Sequence, residues 1–161
     1  MSKQRLKSLR LSVGNAVAGI IQLEDGRYLL QHRDNVPHIW YPDCWGCFGG
    51  AAQEAEAPLD TLRRELFEEL ELVPEQVSYF SRFDFDLDPI GLKSYYRIYY
   101  TILITEVQVS RLVLHEGQKV EAFAGKVVFE QLALVPYDAF ALFLHFSKDR
   151  IDGEGITDKN P

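Results

Sequence analysis

The sequence predicts an α/β fold from three observations: strand-like runs flank one strongly periodic helix, Ser78 to Leu87 alternates at period two, and a second helical pattern lies near the C-terminus. Leu9 to Leu23 is apolar and rich in β-branched residues, and the turn signal Glu24-Asp25-Gly26-Arg27 separates it from Tyr28 to Arg33, which reads as a hairpin. Asp34 to Phe48 carries two prolines, a glycine and both tryptophans before Gly49-Gly50, so it is expected to be a long ordered loop leading into a tight backbone turn. Long loops in compact domains are often functional.

From Pro58 the pattern becomes helical, with Leu59, Leu62, Leu66 and Leu70 at three- and four-residue spacing and Pro58 suited to the first turn. Phe80, Phe83 and Phe85 mark the next strand, Asp88-Pro89-Ile90-Gly91 a turn, and the Tyr- and Ile-rich Leu92 to Thr105 its antiparallel partner. A polar break follows at His115-Glu116-Gly117. Val127-Val128-Phe129 is expected to form the last strand, Tyr137 to Lys148 a helix, and the tail from Asp152 a loose end. No repeat or low-complexity segment interrupts this order, and 161 residues suit one domain with a core over residues 9–148.

Bulk properties exclude several classes. Hydrophobic residues make up 47% and charged residues 25%, and no apolar run is long enough to span a bilayer. The basic start MSKQRLKSLR leads into an alternating segment rather than a cleavable apolar stretch, which argues against a secretory signal. A net charge of -7 and a pI near 5.1 disfavour a surface for long nucleic acids, which are held mainly by basic patches. A small anionic ligand remains compatible if metal ions bridge it to the protein. Two cysteines, Cys44 and Cys47, suit a reducing cytoplasm.

The chemistry concentrates between Gly50 and Leu72. On a helix, Glu65, Glu68 and Glu69 stand at i, i+3 and i+4, so their carboxylates are expected on one face while Leu62, Leu66 and Leu70 point elsewhere. Like charges at that spacing repel by a few tenths of a kcal/mol per exposed pair, so the arrangement costs stability without a counter-charge. Mg²⁺ is a natural partner, because it takes oxygen ligands and joins carboxylates to substrate phosphates. Arg64, four residues before Glu68, is placed to orient part of the cluster. Against this stands the plainer reading of a solvated acidic face.

The spacing favours the chemical reading. Gly50, Glu56, Arg64, Glu65, Leu66, Glu68, Glu69 and Leu72 resemble, in register, the box of the Nudix hydrolase family: glycine, five residues, Glu, seven residues, then Arg-Glu-aliphatic-x-Glu-Glu-x-Gly-aliphatic. The chain departs from it at Glu71, where the family has Gly, and from softer preferences at Gln53 (often Glu) and Ala55 (often Gly). The missing Gly normally ends the helix in a left-handed conformation, which costs a residue with Cβ on the order of 1 kcal/mol. The resemblance implies an α/β/α sandwich around a mixed β-sheet and a magnesium-dependent hydrolase (Mn²⁺ a substitute) that cleaves a diphosphate linkage in a small nucleotide-containing substrate. It places the metal on Glu65, Glu68 and Glu69 with support from Glu56 and Gly50, and assigns catalytic roles to Glu65, Glu68 and Arg64. It leaves the general base open between Glu65 and an acid on a loop beyond the central strands, for which Glu116 is the best placed, and it leaves a homodimer open.

Three rival readings remain. Cys44-Trp45-Gly46-Cys47 is a C-x-x-C, half of a zinc site or a redox pair, but no second such pair exists and the four histidines lack completing spacing. Isopentenyl diphosphate isomerases share the fold and use a cysteine in a similar place, yet Cys47 is followed by Phe48-Gly49-Gly50 rather than by their His-Pro. A nucleotide-sensing module that has lost catalysis also fits the departures at Gln53 and Glu71. Outside the box, Arg33 and Arg97 are able to contact phosphate, and several aromatic residues are able to stack on a base. The sequence assigns none of them, nor His32, His38, His115 and His145.

Overall fold

The computed structural model describes residues 13–151; the first residues of the expected Leu9 to Leu23 strand and the loose tail expected from Asp152 lie outside them. In chain order the elements are β1 (Ala16–Leu23), β2 (Tyr28–His32), β3 (Trp45–Gly46), β4 (Phe48–Ala51), α1 (Pro58–Leu70), β5 (Val77–Phe85), a 3₁₀ turn (Asp88–Ile90) and β6 (Tyr95–Ile104). They continue with α2 (Glu106–Val109), β7 (Lys119–Phe123), α3 (Gly125–Gln131) and α4 (Pro136–Ile151).

Seven strands form one mixed sheet in the order β3-β2-β1-β6-β5, with β4 also paired to β1 and β7 to β2. The hairpin expected from Glu24-Asp25-Gly26-Arg27 is present, pairing Ile21 with Leu29 and Gln22 with Tyr28. The two strands joined by Asp88-Pro89-Ile90-Gly91 are antiparallel, as their alternation and turn require. Among the paired strands of the described residues, only β1 and β6 run parallel, from Ala16 opposite Arg97 to Leu23 opposite Ile104.

β1 is buried on both faces, so it carries two cores. Val17, Ile21 and Leu23 pack with Leu62, Leu66 and Leu70 of α1 on one side, whereas Ala18 and Ile20 meet Val128, Ala141 and Leu142 of α3 and α4 on the other. This alternation makes the molecule an α/β/α sandwich, since residues two apart on a strand share a face. Burying each such side chain contributes about 1.5 to 3 kcal/mol, so the helical leucines anchor α1 firmly over the sheet.

One expected strand is a helix. Val127-Val128-Phe129 lies inside α3, and the last strand is Lys119–Phe123, paired with β2 from Tyr28 opposite Phe123 to His32 opposite Lys119. Strand propensity in the two valines yields to packing: Val128 is fully buried against the sheet, and Phe129 meets the rings of Phe143 and Phe146 on α4.

Candidate active site

Backbone geometry first brings the glycine turn against α1. β4 pairs with β1 so that Val17 opposes Gly50 and Ala18 opposes Gly49. Gly49 has φ of 139°, and a Cβ there would fall 2.2 Å from the Val17 carbonyl oxygen. A Cβ on Gly50 would fall 2.4 Å from the Glu65 carboxyl carbon. Position 49 therefore requires glycine for its backbone conformation and close approach, whereas the missing Cβ of Gly50 leaves the space that the Glu65 carboxylate occupies.

The helix ends as its residue 71 demands. Glu71 has φ of 54°, in the left-handed region, and its N–H donates to the Phe67 carbonyl while that of Leu72 donates to Leu66. Ala55, the other position where the box prefers Gly, is also left-handed, with φ of 62°. Glu71 further pairs with the exposed His115, its Oε1 lying 2.9 Å from Nε2.

The acids of α1 do not share a single patch. Arg64 is the hub of one group, donating to Glu56 through Nε (2.9 Å) and Nη2 (3.0 Å), to Glu65 Oε1 (2.7 Å) and to Glu68 Oε2 (3.0 Å). Thr61 also donates to Glu56, at 2.8 Å. The Arg64 hydrogen bonds, aided by those from Thr61 and the Gln53 amide, hold the Glu56 carboxyl down to about 2. Glu68 is 56% exposed, whereas Glu69 is 5% exposed and accepts the Gly49 N–H at 3.0 Å. Burial pushes Glu69 up to about 8, and the Glu116 and Glu65 carboxylates push in the same direction against the Gly49 N–H. Burial also raises Glu65, opposed by the Arg64 hydrogen bond.

Glu65, Glu69 and Glu116 line one cleft of about 210 Å³ with Arg33, Asp34 and the two glycines. The Glu116 loop is fastened there by Gln31 donating to the Glu116 carbonyl, the Gly117 N–H to Asp34 and the His115 N–H to the Glu69 carbonyl. The structure thus brings Glu116, 47 residues after Glu69 in sequence, to the motif acids, while Glu56 and Glu68 sit on Arg64 beside the cleft. As arranged, no three His, Cys, Asp or Glu side chains among the described residues close around a metal position. The donor set nevertheless fits a hard divalent cation: the carboxylates of Asp34, Glu65, Glu69 and Glu116 line one small space with oxygen donors, and burial raises Glu65 and Glu69. A cation there would offset their mutual repulsion.

A second pocket, of about 400 Å³, shares Arg33, Gly49 and Gly50 with this cleft and is walled by Trp40, Tyr41, Tyr95, Arg97 and Tyr137. These residues come from a loop, a strand and the last helix, so no local spacing announces them. The only sequence signal was their type, arginine and aromatic. Cys47 is buried in the core against α3 and α4, with its thiol pushed well up by burial, and both cysteines are free. Among the remaining histidines, His32 stacks on Trp45 at 4.7 Å and His145 is buried against Tyr28.

Comparison with known proteins agrees with the family resemblance and the fold. The model of the NUDIX domain matches residues 13–149. No curated protein sequence matches. Among solved structures, the chain resembles the MutT protein of Methanosarcina mazei (20% identity, TM-score 0.66, covering 89% of this chain and all of that one). It also resembles the E. coli ORF135 protein (21%, TM-score 0.65, 90% and 96%) and the E. coli dihydroneopterin triphosphate pyrophosphohydrolase (16%, TM-score 0.61, 86% and 98%). At these identities the structural likeness is one of fold.

Proposed function

Since the chain belongs to the NUDIX hydrolase family, we propose that it is a magnesium-dependent enzyme that uses water to cleave a diphosphate linkage in a small nucleotide-containing substrate. One observation carries the reading: Glu65, Glu69 and Glu116 face a single cleft beside Arg33, with Gly50 packed on the Glu65 carboxylate. We assign Glu69, Glu65 and Glu68 to the metal, the last after release from Arg64, with the Gly50 backbone beside them. Mg²⁺ bound there supplies Lewis acidity and neutralises charge that develops on the diphosphate. Arg33, which lines both the cleft and the aromatic pocket, pairs with a phosphate of the substrate.

Glu65 is the better base. Its Oε1 accepts from Arg64 and keeps a second lone pair for the metal, while its Oε2 accepts no hydrogen bond from the described residues and is free to take the proton of the attacking water. Water adds its oxygen to one phosphorus, the bridging oxygen leaves with the other phosphate, and the proton passes to Glu65. Arg64 and Glu56 act through Glu65 as positioning residues, since Glu56 reaches Arg64 rather than the cleft. We take residues 13–149 as one catalytic domain.

The test is a panel of nucleoside triphosphates, nucleotide sugars and dinucleotides, assayed with and without Mg²⁺ and with products identified. Magnesium-dependent release of two phosphate-ended products is expected; binding without turnover across the panel would indicate a catalytically silent module. Within the active set, Glu65→Gln should lower kcat by ~100-fold or more and Glu116→Gln should be nearly silent. The reverse pattern would transfer the base to Glu116.

A further inference from the structure

The pocket beside the acidic cleft contains a half-buried arginine whose terminal nitrogens have one ion-pair neighbour but no hydrogen bond among the described residues. Arg97 lies on β6 between Ala16 and Phe83 of the flanking strands, and its side chain is 15% exposed. Its guanidinium carbon sits 3.8 Å from the centre of the Tyr137 ring, and its Nε donates to the Tyr99 hydroxyl at 3.2 Å. Asp138 stands 3.6 Å from Nη2 and is engaged elsewhere, accepting the Tyr99 hydroxyl at 2.7 Å and the Cys47 N–H at 3.0 Å. Neither Nη1 nor Nη2 makes a hydrogen bond among the described residues. Arg97 lines the pocket together with Arg33 and Tyr137.

A guanidinium held over an aromatic ring at 3.8 Å and tied through Nε to Tyr99 is restricted in its motion, and its fork is suited to two acceptor atoms lying side by side. The neighbouring Asp138 offsets its charge, which favours a neutral acceptor edge over an additional anion. Tyr41 holds a left-handed backbone, φ 49°, and sets its ring edge-on to Tyr137 at 5.5 Å, while Trp40 and Tyr95 complete an aromatic wall for a flat ligand. Arg33 belongs to both spaces, so a substrate whose diphosphate meets Arg33 extends its next group toward Arg97.

We propose that Arg97, laid on Tyr137, is a specificity-determining residue that reads a planar ring edge bearing two adjacent hydrogen-bond acceptors, as in the carbonyl oxygen and ring nitrogen of a 6-oxopurine nucleotide. Adenine presents an amino donor where that carbonyl stands and so meets the arginine donor to donor. This inference rests on the reading of the cleft as a diphosphate hydrolase site.

The experiment compares kcat/KM for GTP and ITP with that for ATP on the full chain with Mg²⁺, and the binding of guanosine, inosine and adenosine by quenching of protein fluorescence. Nucleosides lack phosphate, so they report the ring alone. The 6-oxopurines should be favoured at least ~10-fold in both measurements. Arg97→Gln and Arg97→Lys should bring the ratio close to one, mainly through KM, because lysine keeps the charge but not the fork. Equal wild-type use of GTP and ATP, or a preference for ATP, would overturn the proposal whatever the variants do. So would a ratio preserved in a folded Arg97→Gln protein. Arg97-dependent guanosine binding without hydrolysis of any triphosphate would instead remove the hydrolase reading and leave this one standing.

Discussion

Glu56 and Glu69 belong to the same motif and lie at opposite ends of it, yet the first is held down to about 2 and the second pushed up to about 8. Glu56 has its counter-cation inside the fold, in the two-point contact from Arg64. Glu69 is more deeply buried and, among the described residues, receives only the Gly49 N–H, with Glu116 and Glu65 acting against its charge and Arg33 weakly for it. An acid with an internal partner supports the architecture. One buried among like charges is placed for a partner that arrives from solution, and its position is maintained at a cost in stability.

The sharpest way to break this comparison is to neutralise acids of the motif one at a time. Glu68→Gln and Glu69→Gln should each lower kcat by ~100-fold or more with Mg²⁺, since each removes a proposed metal ligand at nearly constant volume. Their stabilities should diverge from that of Glu56→Gln. Without divalent cation, Glu69→Gln should melt no lower than the parent, because an amide oxygen can still accept the Gly49 N–H and burial already opposes the charged form of Glu69. Glu56→Gln should melt lower. A large drop in melting temperature for Glu69→Gln would mean that its charge already has a partner in the fold.

His145 extends the comparison to a base. It is buried, its Nδ1 lies 2.9 Å from the Tyr28 hydroxyl, and burial with Lys148 nearby lowers it to about 4 while Asp149 opposes. The unfolded chain binds its proton near the ordinary value of about 6.5, so between that pH and about 4 the unfolded state carries more protons. Stability from neutral His145 should therefore be full above pH ~6.5 and lost as pH falls toward ~4, by on the order of 2–3 kcal/mol. Thermal melts from pH 7 to pH 4 should show this loss, and His145→Gln should flatten it. An equally steep profile in the variant would assign the slope to other groups.

The smallest effect expected concerns the two left-handed residues. Ala55→Gly and Glu71→Gly should each relieve up to ~1 kcal/mol of backbone strain, and the exposed His115 contact should subtract at most ~0.5 kcal/mol from the second. Melting temperatures should rise for both, more for Ala55→Gly. A fall for Glu71→Gly would show that its ion pair outweighs the strain.

Much of this molecule was legible before its structure because the relevant physics is local. The Leu62, Leu66 and Leu70 spacing gave α1, the Asp25-Gly26 turn gave the hairpin, and the eight box positions from Gly50 to Leu72 gave the family. The Val127-Val128-Phe129 reading failed because three residues carry too little periodicity to separate a strand from a helix. Glu116 was visible only as an acid at a polar break, and its approach to Glu65 and Glu69 depends on β7 pairing with β2.

Sequence alone determined the order of the elements from the first hairpin to the strand after the Asp88 turn, the glycine turn and the identity of the motif acids, since periodicity, turn chemistry and fixed spacing act over a few residues. Tertiary structure decided which of those acids Arg64 holds and which face the cleft, because burial and counter-charge arise only when β4, α1 and the Glu116 loop meet. It also decided that Arg33, Tyr41, Arg97 and Tyr137 wall a common pocket. The parallel pairing of β1 with β6 and the docking of α4 bring together side chains that are separated by most of the chain.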